Sequence, residues 1–216
     1  FSQLTTQDLL MKNKIETIIF DLGGVLIDHK PKYLYTSIFK DDPKKMDWFL
    51  KNVCTSEWNI EQDAGRTIEE ANRSKIEEFP EYKNEILAYY DQWSTMCKGP
   101  IQGTLNIFDA IKKSGNYNYY ALTNFSTETW PTATKLFPFL TTFQGLVVSG
   151  EVKMRKPFDP IYHHILEKFN LDPTTTIFID DSLPNIETAN RLGIHGIHFQ
   201  SPEQLANDLK KLGVTY

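Results

Sequence analysis

The apolar positions of this chain fall into two regimes. Ile18-Ile19-Phe20 is an unbroken apolar run that stops at Asp21, just before Gly23-Gly24. A run without polar alternation predicts a strand covered on both faces, as in a parallel sheet. A carboxylate at the C-terminal end of such a strand lies at the edge where open α/β sheets bind ligands. The two glycines let the backbone turn close to whatever Asp21 holds. From about Pro31 to Lys98 the spacing becomes helical, and no strand is expected. Asp42-Pro43 is an N-cap followed by a proline suited to the first helical position, and Met46, Phe49, Leu50 and Val53 share one face. A segment around Trp58 to Asp63 ends at Gly65. Thr67-Ile68-Glu69-Glu70 is a capping box opening a third helix that stops before Pro80. A fourth runs from about Glu81 to Met96, with Ile86, Tyr89, Tyr90 and Trp93 on one side, and Gly99-Pro100 closes it.

Beyond Pro100 helices and strands alternate. Ile101 to Lys113 predicts an amphipathic helix ended by Gly115, and Tyr119 to Leu122 a strand finishing at Thr123-Asn124. Ser126 to Leu136 reads as helical with Pro131 in its first turns. Gly145 to Val148 is a short strand, Asp159-Pro160 opens a helix through Phe169, and Thr176 to Ile179 is a buried strand ending at Asp180-Asp181. A helix from Pro184 stops at Gly193, Ile194 to Phe199 gives a last strand, and Ser201-Pro202-Glu203-Gln204 is a capping box for a terminal helix. Such alternation implies an α/β, Rossmann-like doubly wound parallel sheet with right-handed crossovers. Residues 11–30 and 99–216 are expected to form this core, and 31–98 an inserted helical cap.

Composition narrows the function classes. The chain has 216 residues, 40% hydrophobic and 24% charged, which suits one large or two small globular units. A net charge of −5 without a basic run argues against nucleic acid as partner. No apolar run approaches the roughly 18 residues of a membrane span. Cys54 and Cys97 form no metal or redox motif, and residues 1–10 lack the pattern of a secretory signal, so a reducing, cytoplasmic setting is expected. Met11 would make a natural start, so residues 1–10 are expected to be an extension or a processed end.

The chemistry emerges when the strand ends are collected. Three strands finish in polar groups, at Asp21, Thr123-Asn124 and Asp180-Asp181, and Arg155-Lys156 follows the third strand just before Pro157. Three carboxylates at one sheet edge repel and raise each other's pKa unless a cation joins them. All-oxygen ligation points to a hard ion, with Mg²⁺ the first choice. Lys156 and the Thr123-Asn124 donors would neutralise a transferring phosphoryl group, and Asp21 would attack phosphorus as a carboxylate nucleophile. Strands sharing one metal must be neighbours, which makes the first strand central and predicts the order 3-2-1-4-5.

Phe20-Asp21-Leu22-Gly23-Gly24-Val25, Leu122-Thr123-Asn124, Lys156-Pro157 and Ile179-Asp180-Asp181-Ser182 with Asn185 resemble the four motifs of the haloacid dehalogenase-like hydrolase superfamily, in order. The resemblance implies that Asp21 is the nucleophile and that Thr123 and Lys156 hold the phosphate. It further implies that Asp180 and Asp181 serve Mg²⁺, with the main-chain carbonyl of Gly23 as another ligand. Asp-Leu-Gly, Met154-Arg155-Lys156-Pro157 and the turn Asp63 to Ile68 look closest to the bacterial branch acting on sugar phosphates such as α-D-glucose 1-phosphate. The expected substrate is thus a small phosphate monoester.

One position departs from the superfamily's common pattern. Gly23 stands where most of its phosphatases carry a second Asp as general acid and base, although the sugar-phosphatase branch has Gly there too. Asp28 is the nearest spare carboxylate, with a helix N-cap or a hydrogen bond at the cap hinge as its expected role. Trp48, Trp58, Tyr89, Tyr90 and Trp93 are expected in the cap core. Arg66 is a candidate substrate contact, and Trp58 its companion near the Gly65 turn. The five histidines show no metal-motif spacing. Two other classes remain open: a metal-independent 2-haloacid dehalogenase, which paired Asp180-Asp181 disfavours, and a catalytically silent binder of a phosphorylated ligand, which Gly23 favours.

Overall fold

Thr17–Phe20 (β1) is buried at all of its positions, as a strand covered on both faces must be. The computed structural model describes residues 14–216, so the reading of residues 1–10 and the start of the core at residue 11 lie outside it. After β1 the chain turns through Gly24 (φ +76°) into Ile27–His29 (β2), which pairs antiparallel with Cys97–Pro100 (β3). This ribbon carries the chain into and out of the cap. The sequence predicts no strand there and puts 97–98 in the cap. Cys97-Lys98-Gly99-Pro100 has breakers and no β-branched residue, so only the partner strand makes it extended.

Between β2 and β3 lie Pro31–Ile38 (α1), Pro43–Asn52 (α2), Ser56–Asp63 (α3), Ile68–Glu78 (α4) and Lys83–Asp91 (α5). The expected caps are present: Asp42 accepts from the Lys45 amide, and Thr67 and Glu70 form a reciprocal capping box. Helix α1 is too short to show a periodicity and was not resolved as a separate helix in the sequence. The expected fourth helix is α5 flanked by two 3-10 turns, Pro80–Tyr82 and Trp93–Met96. Tyr35, Phe49, Trp58 and Tyr89 are buried among these helices, whereas Trp48, expected inside, is 43% exposed and rests on Phe79 and Tyr82.

The core resumes with Gln102–Ser114 (α6), Asn118–Thr123 (β4), Trp130–Leu136 (α7), Gly145–Val148 (β5), Ser149–Val152 (α8), Asp159–Lys168 (α9), Thr176–Asp180 (β6), Leu183–Arg191 (α10), His195–His198 (β7) and Pro202–Lys211 (α11). Helix α7 begins four residues later than the pattern suggested, with Pro131 in its first turn. The five core strands are parallel in the order β5-β4-β1-β6-β7, the expected 3-2-1-4-5. Ile18 and Phe20 pack on one face with Phe108 of α6 and Leu205 and Leu209 of α11. Ile19 and Phe178 pack on the other face with Ile161 and Ile165 of α9 and Ile186 of α10. Helices therefore cover both faces, and the polar strand ends are left at one edge under the cap.

Candidate active site

Register places the site. Phe20 stands opposite Ala121 and Ile179, so Asp21 emerges level with Asp180, and the Asp21 amide donates to Ile179 O at 2.8 Å. Lys156 Nζ, on the loop after α8, is fully buried between them, 2.9 Å from Asp21 Oδ1 and 2.6 Å from Asp180 Oδ2. Its third partner is Leu122 O at 3.0 Å, so all three ammonium donors are taken. Burial works against the charge of Lys156, but Asp180 and Asp21 outweigh it and hold its pKa above the ordinary value.

The two carboxylates on Lys156 differ in what remains available. Asp180 Oδ1 accepts from the Ser182 amide and Asn185 Nδ2, and Oδ2 accepts from Asn185 Nδ2 as well as Lys156. Asp180 is thus committed to holding Lys156 in place. Asp21 Oδ1 accepts from Leu22 N and Lys156, while Oδ2 has no protein partner among the described residues. Burial pushes Asp21 up to about 8, Lys156 pulls it down, and Asp180 and Asp181 push it up again. Asp181 is more exposed. It too is raised, by desolvation first and by Asp180 second. Oxygens of Asp21, Asp180 and Asp181 lie within 4.8 Å of one another, the one such cluster of His, Cys, Asp and Glu among the described residues. A Cβ at Gly24 would lie 2.1 Å from Asp181 Oδ2, so only glycine lets the turn pass this carboxylate. Carboxylates crowded in this way fit a hard cation with oxygen ligands.

Thr123 ends β4 and is buried. The carboxamide of Asn124 is spent on the main chain of Lys156: Nδ2 donates to Lys156 O at 3.0 Å, and Oδ1 accepts from Lys156 N at 2.9 Å. It positions Lys156, a role the sequence did not suggest. Gly23 lines the cleft with nothing within 4 Å of an added Cβ. Asp28 takes the second of its expected roles: both its oxygens accept from Tyr33 Oη at 2.9 Å, while Lys30 stands at the N-cap of α1. Arg66 is not on the cleft wall; its Nε donates to Gln62 Oε1 and its Nη2 to Trp58 O. Trp58 is buried, with Nε1 donating to Ala71 O.

The cleft above Asp21 has a volume of about 660 Å³. The cap contributes Asn59, Asp63, Tyr90 and Trp93 to its wall, four side chains that no sequence motif puts there. Asn59 and Asp63 are four apart on α3, so they share a face, but nothing local says that this face meets the core. It does so because Ser149 Oγ donates to Asp63 O at 2.5 Å and Gly65 (φ +105°) packs against Lys153 and Gly150. Burial pushes the Asp63 carboxyl up to about 7, against the pull of Lys156 and Arg155. His29 stacks on Trp93, and burial pushes its imidazole down to about 4.

A parallel α/β core thus lies under a helical cap, with a carboxylate–lysine–carboxylate arrangement at the sheet edge. The chain belongs to the haloacid dehalogenase-like hydrolases: the model of that family matches residues 18–199. It is 26% identical over 212 residues to the sesquiterpene phosphatase astK of Aspergillus oryzae, an alignment covering 94% of this chain and 98% of that one. Among solved structures, it resembles a haloacid dehalogenase family enzyme of Bacteroides thetaiotaomicron in complex with magnesium and inorganic phosphate. That match has 25% identity, a TM-score of 0.65, and covers 87% of this chain and 95% of the other. A predicted hydrolase of the same kind from Porphyromonas gingivalis matches with a TM-score of 0.70 at 20% identity, covering 94% and 99%. No helix among the described residues is long and apolar enough to cross a membrane.

Proposed function

We propose that the protein is a Mg²⁺-dependent phosphatase that hydrolyses a small phosphate monoester through an aspartyl-phosphate on Asp21. The observation that carries this reading is the pairing of Asp21 with buried Lys156 beside two further carboxylates. The Asp21 carboxylate attacks phosphorus and the bond to the leaving oxygen breaks. Water then attacks the acyl phosphate and returns Asp21 as a carboxylate. Lys156 holds the Asp21 carboxylate in place and adds positive charge where the phosphoryl oxygens gather it. Asp21, Asp181 and the carbonyl of Gly23 would hold Mg²⁺, with Asp180 serving it directly or through a bound water. Bound there, the ion would neutralise phosphoryl charge and let three carboxylates coexist. A dehalogenase attacking carbon without metal would gain nothing from Asp180 and Asp181.

The leaving group admits two readings. The Asp63 to Ile68 turn resembles sugar phosphatases, which favours a sugar phosphate. The walls formed by Ile27, Trp93, Ile101, Phe125 and Phe199 instead suit an apolar alcohol, and the similarity to a sesquiterpene phosphatase supports that alternative. Phosphate release should be measured on sugar 1-phosphates, sugar 6-phosphates and farnesyl phosphate, with and without Mg²⁺. Turnover of at least one class that vanishes in chelator is expected. Halide release from a 2-haloacid in chelator, with no phosphate release, would sink the reading.

A further inference from the structure

The cap holds a hydrogen-bonded chain that ends at the cleft. Arg66 Nε donates to Gln62 Oε1 at 2.9 Å, Gln62 Nε2 donates to Tyr90 Oη at 2.7 Å, and Tyr90 Oη donates to Asn59 Oδ1 at 2.9 Å. Asn59 Nδ2 then donates to Asp63 Oδ2 at 3.2 Å. A guanidinium can only donate, so Arg66 fixes the direction of every link. Asp63 Oδ2 is thereby held as an acceptor, and a proton on this carboxyl belongs on Oδ1. That oxygen has no protein partner among the described residues, and the side chain lines the same cleft as Asp21, Gly23 and Lys156. The turn that carries it is held to the core through Ser149 and Gly65. The core side of the cleft has no acid two residues after the nucleophile, only the open space above Gly23.

We propose that Asp63, on the cap, is the general acid and base of this site. The inference rests on the phosphatase reading above. As the bond from phosphorus to the leaving oxygen breaks, its electron pair stays on that oxygen, which takes the proton from Asp63 Oδ1 and departs as the alcohol. Asp63, now a carboxylate, accepts a proton from the water that attacks the aspartyl-phosphate, and the cycle closes. Burial favours the protonated form of Asp63 up to about pH 7, the state an acid needs. The titratable and charged groups facing it are Tyr89 and Tyr90 from the cap and Arg155 and Lys156 from the core. All are phenols or cations, so Asp63 is the one carboxyl among them. Arg66, Gln62, Tyr90 and Asn59 act as positioning residues.

The test compares a primary alkyl phosphate, whose alkoxide must be protonated, with 4-nitrophenyl phosphate, whose leaving group needs no proton. Both are assayed with the full chain and Mg²⁺. Asp63→Asn should slow the alkyl ester by about 10²–10⁴-fold and the nitrophenyl ester by less than about tenfold. Adding Gly23→Asp, whose Cβ meets nothing within 4 Å, should recover at least about tenfold of the alkyl rate. A variant-free measurement guards against misfolding: in the wild type the ratio of alkyl to nitrophenyl rate should fall as pH rises through about 7. Metal and nucleophile titrations are common to both esters and cancel in that ratio. Equal losses on both esters, no loss on the alkyl ester, or a wild-type ratio flat between about pH 5 and 9 would each overturn the assignment. If the wild type turns over neither ester, the phosphatase reading fails and Asp63 loses its role with it.

Discussion

Asn124 and Lys156 hold each other by two hydrogen bonds, carboxamide to main chain in both directions, across 32 residues of sequence. Between them they tie the end of β4 to the loop that delivers the buried ammonium. Replacing Asn124 by Ala should cost about 1–3 kcal/mol of stability, since two partly buried main-chain groups lose their partners. Turnover should fall mainly through kcat, because Lys156 moves while the substrate walls do not. Denaturant melts and steady-state kinetics on one phosphate ester check both; an unchanged kcat would mean that the loop holds Lys156 unaided.

Asp21→Asn should abolish turnover without unfolding the protein. The stability effect has a definite sign. Asp21 is raised from 3.8 to about 8, so the folded state binds its proton more tightly than the unfolded state. That contribution is fully present below pH 3.8 and is lost as pH rises through about 8. Asparagine carries no such loss. In metal-free buffer at pH 8 the variant should melt at or above the wild-type temperature, and a large fall would show that the Asp21–Lys156 pair stabilises more than burial costs.

Activity should disappear in chelator and return with Mg²⁺. Asp181→Asn should raise the Mg²⁺ concentration for half-maximal activity by about tenfold or more, since it removes one charged oxygen ligand. The readout is a Mg²⁺ titration of phosphate release. Full activity in chelator would remove the metal from the reaction.

His29 gives a pH signature on stability alone. Its folded pKa of about 4 lies below the ordinary 6.5, so the unfolded state binds more protons in between. Stability therefore falls as pH drops from 6.5 to 4, by up to about 3 kcal/mol at about 1.4 kcal/mol per pKa unit. His29→Phe keeps an aromatic ring on Trp93 and does not titrate. The difference in unfolding free energy between variant and wild type should grow over that window; a constant difference would show that His29 is not held neutral.

The sheet edge was legible in the sequence because each of its residues ends an element with a local signal. Asp21 and Asp180 follow apolar runs, Lys156 precedes Pro157, and a shared cation explains why carboxylates collect at one edge. Strand order followed from the same chemistry. The cap side of the cleft was not legible. Asp63 meets Ser149 across 86 residues, and Tyr90 looks like any core aromatic until Gln62 and Asn59 are seen on its hydroxyl. Asn124 reads as a phosphate donor from its place at a polar strand end; only the loop's return shows its carboxamide already occupied. The β2–β3 ribbon was missed because Gly99 and Pro100 carry no strand signal of their own.

That ribbon also bears on how a reacted molecule gets out. The chain enters the cap along β2 and leaves along β3, and the two are bonded side by side rather than free of each other. Two separate cords would let the cap twist, tilt and slide. Lashed together, they act as a single pin. The cap meets the core again where Ser149 Oγ donates to Asp63 O and where the Ile68 amide donates to Glu128 Oε1, so a swing about that pin would part both contacts and lift Asn59, Asp63 and Tyr90 together. A departing alcohol would then meet an opening door, and an arriving ester would find the whole upper wall delivered at once.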